Sequence, residues 1–263
     1  GVKVCSNGSA WYQGAAVSSL SASVTPETIP LTDLTDAYAD YTTLNNMIIG
    51  RAGATALTAG AQYNTFIGEL AGAMTANSTA ATDFNTAVGY RALTALTTGN
   101  ENVAIGESAL AANTTGSLNT VIGNNAMDDN LSGTNNTAVG KRALESNVAK
   151  QESTAVGYWA MRYADSGAAA ITYNTALGAF ALQGAVGGQA TNTGTNNTAL
   201  GHSALMAVTS GGSNVAIGAL TGDTLTTGGT NILIGYDVDT PAVGTSNHLN
   251  IGGTIYGDVS TDN

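Results

Sequence analysis

The stretch Asn85-Thr86-Ala87-Val88-Gly89-Tyr90-Arg91-Ala92-Leu93 decides the fold, because versions of it recur from residue 46 to residue 252. The final glycine of Asn-Thr-Ala-Val-Gly gives the register of the repeat, and seven of the eleven intervals between copies are 17 residues long. The twelve repeat glycines are Gly50, Gly68, Gly89, Gly106, Gly123, Gly140, Gly157, Gly178, Gly201, Gly218, Gly235 and Gly252. A repeat of this length is typical of a solenoid, in which stacked coils bury one another's apolar faces.

Two further positions repeat together with the glycine. An asparagine precedes it by four residues in ten copies, with Ser153 and His248 as the exceptions, and an aliphatic residue precedes it directly in every copy. Stacked asparagines are expected to hydrogen-bond to one another as a ladder and to cap the turn. In the regular copies, we expect the asparagine and the glycine to have a structural role. These pairs are Asn85 and Gly89, Asn102 and Gly106, Asn119 and Gly123, Asn136 and Gly140, and Asn197 and Gly201.

Each copy predicts a short strand, a glycine turn and one helical turn. Thr86-Ala87-Val88 suits a strand with alternating faces, and the glycine turns the chain, as expected for a residue at positive φ. Ala92-Leu93 suits a single helical turn that folds back under the strand, and a Thr-, Gly- and Asn-rich tail leads to the next copy. The predicted fold is mainly β: a repeat solenoid of parallel β-roll or β-helix type, with coils of about 17 residues.

The middle residue of each predicted strand indicates more than one chain. It is alanine in most central copies, but Ile48, Phe66 and Leu233 hold this position towards the ends. Repeated small residues permit close approach of another backbone, so we predict that a neighbouring chain covers the alanine face while the other face belongs to the chain's own coil. A three-fold axis is the natural closure, which predicts an intertwined or side-by-side homotrimer. The alternative is a wide coil of one chain with a bare alanine face.

The repeat divides the chain into three parts. Residues 1–44 are predicted to be an N-terminal hairpin around Asn7-Gly8, a linker, and a capping or attachment segment with a short helix between Thr32 and Leu44. Residues 45–252 are the solenoid. Residues 253–263 are predicted to form a terminal strand or turn.

Composition excludes several classes of protein. Only 10% of the residues are charged, and this small-residue chain suits neither a coiled coil nor a helical bundle, while its strict aliphatic period argues against disorder. A net charge of −11 argues against nucleic acid or an anionic membrane as a partner. There is no run of 18 apolar residues, so we expect no membrane insertion.

The two longest intervals of the central repeat point to a binding site. They place extra residues at 164–173 and 183–194, and insertions in a solenoid project as loops on one face, often the binding face. Aromatic rings suit stacking on sugar faces, and amides suit recognition of hydroxyls; the alternative is that the rings fill the core or a seam between chains. The predicted receptor-binding residues are Tyr158, Trp159, Tyr163, Tyr173, Phe180, Gln183, Gln189 and Asn192.

We expect no catalytic site, metal or cofactor. His202 and His248 are too far apart along the repeat to share a metal. Asp128 and Asp129 are neighbours on a turn, whereas a glycosidase needs two carboxylates that face one sugar. The segment from Asp237 to Asp239 lacks the further ligands of a calcium site.

The repeated Asn-Thr-Ala-Val-Gly-x-x-Ala-Leu, with Thr-Gly-x-x-Asn links, resembles the repeat region of bacteriophage tail fibre proteins over about residues 45–258. The segment from His248 to Asp258 resembles the one that such fibres carry before a self-cleaving intramolecular chaperone of the endosialidase type. The resemblance implies a homotrimeric receptor-binding fibre of the virion tail, outside the cell. It also implies attachment to a host surface, most often through glycan, and to other tail proteins through the N-terminal segment.

Part of the motif is similar to a second family. Val-Ala-Ile-Gly, at Val103 to Gly106 and at Val215 to Gly218, resembles the head repeats of trimeric autotransporter adhesins, which form a left-handed parallel β-roll trimer on the bacterial surface. Their repeat is typically shorter. Two further alternatives are a subunit of an extracellular filament and a tailspike that depolymerises polysaccharide.

Overall fold

The computed structural model describes residues 2–4, 10–12, 37–40, 45–50, 61–73, 82–163, 170–185 and 194–259. The chain is a mainly β repeat solenoid, as the sequence predicts: twelve short parallel strands stack in chain order in one sheet, flanked at each end by an antiparallel strand. The parallel strands are β4 (Asn46–Ile49), β5 (Thr65–Ile67), β6 (Thr86–Val88), β7 (Val103–Ile105), β8 (Thr120–Ile122), β9 (Thr137–Val139), β10 (Thr154–Val156), β11 (Thr175–Leu177), β12 (Thr198–Leu200), β13 (Val215–Ile217), β14 (Ile232–Ile234) and β15 (His248–Ile251).

The remaining strands lie outside the parallel stack. They are β1 (Val2–Val4) and β2 (Ala10–Tyr12), which pair antiparallel, and β3 (Ala37–Asp40) and β16 (Ile255–Asp258), which pair antiparallel with β4 and β15 respectively. A helix was predicted where β3 lies, and that prediction was wrong for residues 37–40. The predicted Asn7-Gly8 turn lies outside the described residues. Over the described ranges the chain has no helix that could cross a membrane.

Equivalent positions of the repeat stack directly on one another. Ala87 lies opposite Ala104 and Val88 opposite Ile105, and the same in-register pairing continues through the sheet. The two stretched intervals do not disturb it, because Thr154 still pairs with Thr175. The strands on either side of each stretched interval therefore stay in register, and each strand position forms a continuous column along the sheet.

The predicted asparagine ladder is confirmed. The Nδ2 group of Asn119 donates to Oδ1 of Asn102 at 3.0 Å and to the Gly133 carbonyl oxygen at 2.9 Å, while the Asn119 backbone N–H donates to the same Oδ1 at 3.1 Å. The same backbone bond recurs from Asn46 to Ser153 and from Asn174 to His248. It is interrupted between Ser153 and Asn174, because Ser153 has no side-chain amide. The amides are buried but well partnered, which makes their burial tolerable.

A second ladder was not anticipated. Asn130 donates from Nδ2 to Oδ1 of Asn113 at 2.7 Å, and Asn147 donates to Oδ1 of Asn130 at 3.2 Å. We call the run of turns that follows each repeat glycine the turn segment; all three side chains are fully buried at the end of it that is farther from the glycine. Three regular coils therefore have polar ladders at both ends of a narrow apolar interior.

Consecutive β-turns follow the repeat glycines of the central coils, so the prediction of a helical turn was wrong for these coils. The Ala109 N–H donates to the Gly106 carbonyl at 3.3 Å, whereas the Leu110 N–H donates to Ala126 in the next coil at 3.0 Å. Ser108 and Leu110 have φ angles of 53° and 56°, which interrupt any right-handed helix. Neighbouring coils thus take the hydrogen bonds that a helix would make within itself.

The two strand faces are reversed relative to the prediction. The alanines of the strand centres are fully buried inside the coil, in the same core as Leu93 and Leu110, while the aliphatic residues before the glycines lie outside. The coil is so flat that a leucine or methionine from the turn segment leaves room only for alanine opposite. Where the strand residue is large, the opposite wall is small: a Cβ on Gly72 would lie 2.6 Å from the Phe66 ring. The alanines reflect internal volume, not the approach of another chain.

Candidate functional site

The outer surface of the sheet is uncharged along its whole length, with an unbroken aliphatic column beside a column rich in threonine. We call the residues one and three positions before the repeat glycines the sheet face; these twenty-four positions of β4 to β15 include no charged side chain. Ile122 is 39% exposed and Leu177 is 48% exposed. Among the described residues, nineteen large apolar side chains are exposed, and fourteen of these lie on this face or in the columns beside it: Met47, Ile49, Tyr63, Phe84, Tyr90, Ile105, Leu118, Ile122, Tyr158, Tyr173, Leu177, Leu200, Ile217 and Tyr236.

The size of this surface sets it apart from ordinary scattered apolar residues. Eleven inter-strand spacings of about 4.8 Å give a length of about 53 Å, and the face with its flanking columns covers on the order of 1,000 Å². Exposed apolar patches of monomeric proteins rarely exceed a few hundred Å², and about 800 Å² is what one partner buries in a stable interface. The sheet face has the extent and composition of a protein–protein interface.

A second feature interrupts the uniform surface at one corner of the coil. Lys141 and Arg142 hold the first and second positions after Gly140, Tyr158 and Trp159 hold the same positions one coil later, and Phe180 holds the second position in the coil after that. We call these five residues the corner patch. They lie beside the sheet face, where the strand turns at the repeat glycine.

The rings of the corner patch pack on one another. Tyr158 and Trp159 are stacked, with ring centroids 4.9 Å apart and planes 18° apart. Phe180 meets both rings edge-on, at 5.4 Å from Tyr158 and 5.6 Å from Trp159. The imidazole of His202, one coil further on, contacts Phe180 at 5.6 Å. The backbone N–H of Trp159 donates to the Lys141 carbonyl at 3.1 Å, so the hydrogen-bonded coils hold the rings and cations side by side.

Arginine side chains border the rings. The guanidinium carbon of Arg162 lies 4.1 Å from the Trp159 ring centroid and 4.7 Å from that of Tyr163, within the range of cation–π attraction. The Nε atom of Arg162 forms an ion pair with Glu145, and Arg142 Nε lies 3.3 Å from the other oxygen of the same carboxylate. One glutamate therefore sits between two arginines.

Two donors of this corner lack an acceptor among the described residues. They are the indole N–H of Trp159 and the Nε of Arg142, which is close to Glu145 without forming a hydrogen bond of good geometry. They hold the same repeat position in adjacent coils. An unsatisfied buried donor costs about 1–3 kcal/mol. Both atoms lie beneath the surface, so this is a cost to the fold and not a contact offered to a ligand.

The structure brings together only some of the predicted receptor-binding residues. Tyr158, Trp159 and Phe180 form one cluster, and Tyr163 joins it through Arg162. Tyr173 is 55% exposed but precedes its strand, at the opposite edge of the sheet. Gln183 is buried. Gln189 and Asn192 lie outside the described residues.

Sequence reasoning missed the cations Lys141, Arg142 and Arg162, and the imidazole of His202. Three of them could have been found by aligning the repeats on their glycines. In that alignment Lys141, Arg142 and His202 fall in the columns of Tyr158 and Trp159. Arg162 was harder to find, since it reaches Trp159 from three residues further along the turn segment.

Two carboxyl groups outside the corner patch have raised pKa values. Burial, together with the nearby charges of Asp128 and Glu145, raises the pKa of Asp129, and a hydrogen bond from Ser146 partly offsets this. Burial and the charges of Asp239 and Asp237 raise the pKa of Asp223. Within the described ranges no group of three or more His, Cys, Asp or Glu residues is arranged to hold a metal ion.

The interior offers little space for a ligand. A void of about 20 Å³ lies beside the stretched coils, among Met161, Leu182 and Val208. This is room for a single water molecule, not for an organic ligand.

Comparison of the chain with protein-family models, with curated proteins and with solved structures returns no match. The arguments for function therefore rest on the sheet face and the corner patch.

Proposed function

We propose that the protein is a homotrimeric fibre that attaches to a host-cell surface through glycan, without catalysis. The corner patch is the observation that carries this proposal. It gathers three rings and flanking arginines on a hydrogen-bonded scaffold whose other coils mostly show small or polar residues at the same positions. Rigid aromatic rings supply contact area at low conformational cost, and the ring faces of sugars stack on them.

The sheet face supports assembly around a three-fold axis. Its central columns bear aliphatic, threonine and methionine side chains, whereas the column one position after the glycines mixes tyrosines with the charged residues Glu69, Glu107 and Lys141. This is the arrangement of an apolar interface core with a charged rim. A second and a third copy of the chain have the same spacing between strands. The aliphatic columns of the three copies can therefore pack against one another, coil against coil. A strand of three residues is narrow enough for three such faces to meet at one axis.

Assembly would multiply weak binding. Three corner patches on one rigid rod bind a surface that displays many copies of a glycan, and the second and third contacts gain from effective concentration. The resemblance to bacteriophage tail fibre proteins favours a location in the virion tail, with the N-terminal segment joined to other tail proteins. Display on a bacterial surface, as in adhesins, is the alternative location.

Cell labelling tests attachment. A fluorescent form of the protein, applied to a panel of bacterial strains and counted by flow cytometry, is expected to label some strains strongly. Replacing Trp159 and Tyr163 with Ala should abolish labelling while the mass in solution remains about 78 kDa, three times the chain mass of 26.1 kDa.

The matched control removes another aromatic pair. Tyr63 and Phe84 stack at 5.0 Å at the opposite edge of the sheet, and their replacement by Ala should leave labelling intact. Undiminished labelling by the Trp159 and Tyr163 variant would remove the proposed site, and shortening of a host polysaccharide by the protein would refute the absence of catalysis.

A further inference from the structure

The corner patch carries charge as well as rings, and the charge is unexpected in this chain. The protein has 18 acidic and 7 basic residues, yet Lys141, Arg142 and Arg162 lie within two consecutive coils, beside Trp159. Among the described coils, only the one after Gly140 has two cations at the first and second positions after its glycine. We propose that the corner patch binds an acidic glycan chain, whose sugar rings stack on Tyr158 and Trp159 and whose carboxylates pair with Lys141 and Arg142. This rests on the proposed glycan-binding function and names its ligand class.

The carboxylates near the patch are already engaged or lie elsewhere. Glu145 is shared by Arg142 and Arg162, so one negative charge serves two positive ones. Asp128 accepts a hydrogen bond from Asn125 at 3.0 Å, and Asp129 follows it at the far end of the turn segment. Lys141 is exposed. The corner therefore keeps an excess of positive charge that a bound carboxylate would neutralise.

Acidic side chains are absent from a long stretch of this corner. From the coil after Gly123 to the coil after Gly218, the first and second positions hold no carboxylate: Asn124, Asn125, Lys141, Arg142, Tyr158, Trp159, Ala179, Phe180, His202, Ser203, Ala219 and Leu220. Glu69 and Glu107 hold such positions in earlier coils and Asp237 in a later one. An anionic polymer that lies along the rod meets no opposing charge in these columns.

The donors of the patch suit the same ligand. The exposed Lys141 ammonium and the Arg142 guanidinium, whose side chain is 35% exposed, offer charged donors at neighbouring positions. Carboxylate oxygens accept hydrogen bonds only, and bonds from charged donors are about twice as strong as neutral ones. The patch together with His202, which contacts Phe180 from the next coil, extends over three strand spacings, about 14 Å, which favours a linear chain over a single sugar.

Matched polysaccharides test the proposal. Polygalacturonate and polysialic acid are each compared with the same polymer after chemical reduction of its carboxyl groups, and binding to the full-length protein is measured by biolayer interferometry. At least one acidic polymer should bind tenfold or more tightly than its reduced form, and added salt should weaken that binding. Equal affinity for both forms would overturn the acidic ligand and leave glycan binding intact. Binding of none of the four polymers would overturn both proposals.

The repeat itself provides a conservative variant. Replacing Lys141 and Arg142 with Asn introduces the pair found one coil earlier, Asn124-Asn125, and Asn tolerates the φ of 58° at Arg142. This variant should bind the acidic polymer at least tenfold more weakly and the neutral polymer unchanged. Arg91→Asn is the control, because Arg91 holds the same repeat position with a φ of 57° but lies away from Trp159. Equal loss in both variants would show non-specific charge attraction and overturn the site.

Discussion

The side-chain amide of Asn119 donates to that of Asn102 at 3.0 Å, and both residues are fully buried. Asn119→Asp would replace the Nδ2 donor by a carboxylate oxygen that faces two acceptors, Asn102 Oδ1 and the Gly133 carbonyl. We expect this variant to lose about 3–5 kcal/mol of stability at neutral pH, because it leaves a buried charge without compensation. The measurement is the midpoint of unfolding in urea.

Asn135→Asp is the control for this loss. Asn135 is exposed, and its change should alter stability by less than about 0.5 kcal/mol. Similar midpoints for the two variants would show that the ladder contributes no more than a surface amide.

The repeat glycines predict a second effect. Gly123 has a φ of 142°, and a Cβ there would lie 2.4 Å from the Gly140 carbonyl oxygen of the next coil. Gly123→Ala should therefore destabilise the protein by about 2–5 kcal/mol, from backbone strain and overpacking. In Gly257→Ala the new methyl would lie 3.7 Å from Leu249, so thermal unfolding should be nearly unchanged. If Gly123→Ala had the same melting temperature as the wild type, the close approach of neighbouring coils described above would be contradicted.

The sheet face predicts the response of the assembly to charge. Ile122 lies in its aliphatic column, and Ile122→Glu would place a charge in the centre of the proposed interface. We expect the mass from light scattering to fall from about 78 kDa towards the chain mass of 26.1 kDa. Leu131→Glu is the matched control, because Leu131 is 46% exposed but lies off the face, and its mass should stay that of a trimer. A wild-type mass near that of one chain would refute the trimer outright.

Asp129 predicts a dependence of stability on pH. Its folded pKa is raised, mainly by burial, so the folded chain holds this proton more tightly than the unfolded chain does. Asp129 therefore contributes to the stability of the folded chain below its ordinary pKa of 3.8. This contribution is lost as the pH rises through the raised pKa of the folded state. Asp129→Asn should therefore melt higher than the wild type at pH 7, by about 1–3 °C after allowance for its partial exposure.

The gain in Asp129→Asn should be much smaller near pH 3.5, below the ordinary pKa of 3.8, because the Asp129 carboxyl is then mostly protonated in both the folded and the unfolded chain. Glu101→Gln, which changes an exposed carboxylate, serves as the control and should melt like the wild type at both values of pH. A gain that persisted unchanged at the lower pH would assign the effect to something other than ionisation.

The sequence predicts the path of the chain better than it predicts which way the strands face. Period and register follow from glycine spacing alone, and the ladder follows from the asparagines. The orientation of Ala87 does not, because alternation defines two faces without saying which is inside. Internal volume decides it: Leu93 and its equivalents fill the coil, and their size becomes evident only when the turn segment is seen folded against the strand.

Local propensity also failed where neighbouring coils intervene. Ala92-Leu93 has good helix formers, yet Leu93 has a φ of 55° and donates its N–H to Ala109 of the next coil.

Tyr173 was grouped with Tyr158 because both lie near insertions. Their offsets from the glycines, five before and one after, place them at opposite edges of the sheet. Position within the repeat, more than proximity in sequence, determines which residues meet.

The in-register stacking of coils has a consequence for how such a molecule changes over generations. Loss of residues 103–119 would join Asn102 to Thr120 and recreate the phrase Asn-Thr-Val-Ile-Gly with its ladder intact. The rod would shorten by one strand spacing of about 4.8 Å, while the corner patch and both terminal strands would remain. Its reach can thus be adjusted one coil at a time by duplication or deletion within the gene, independently of what it binds.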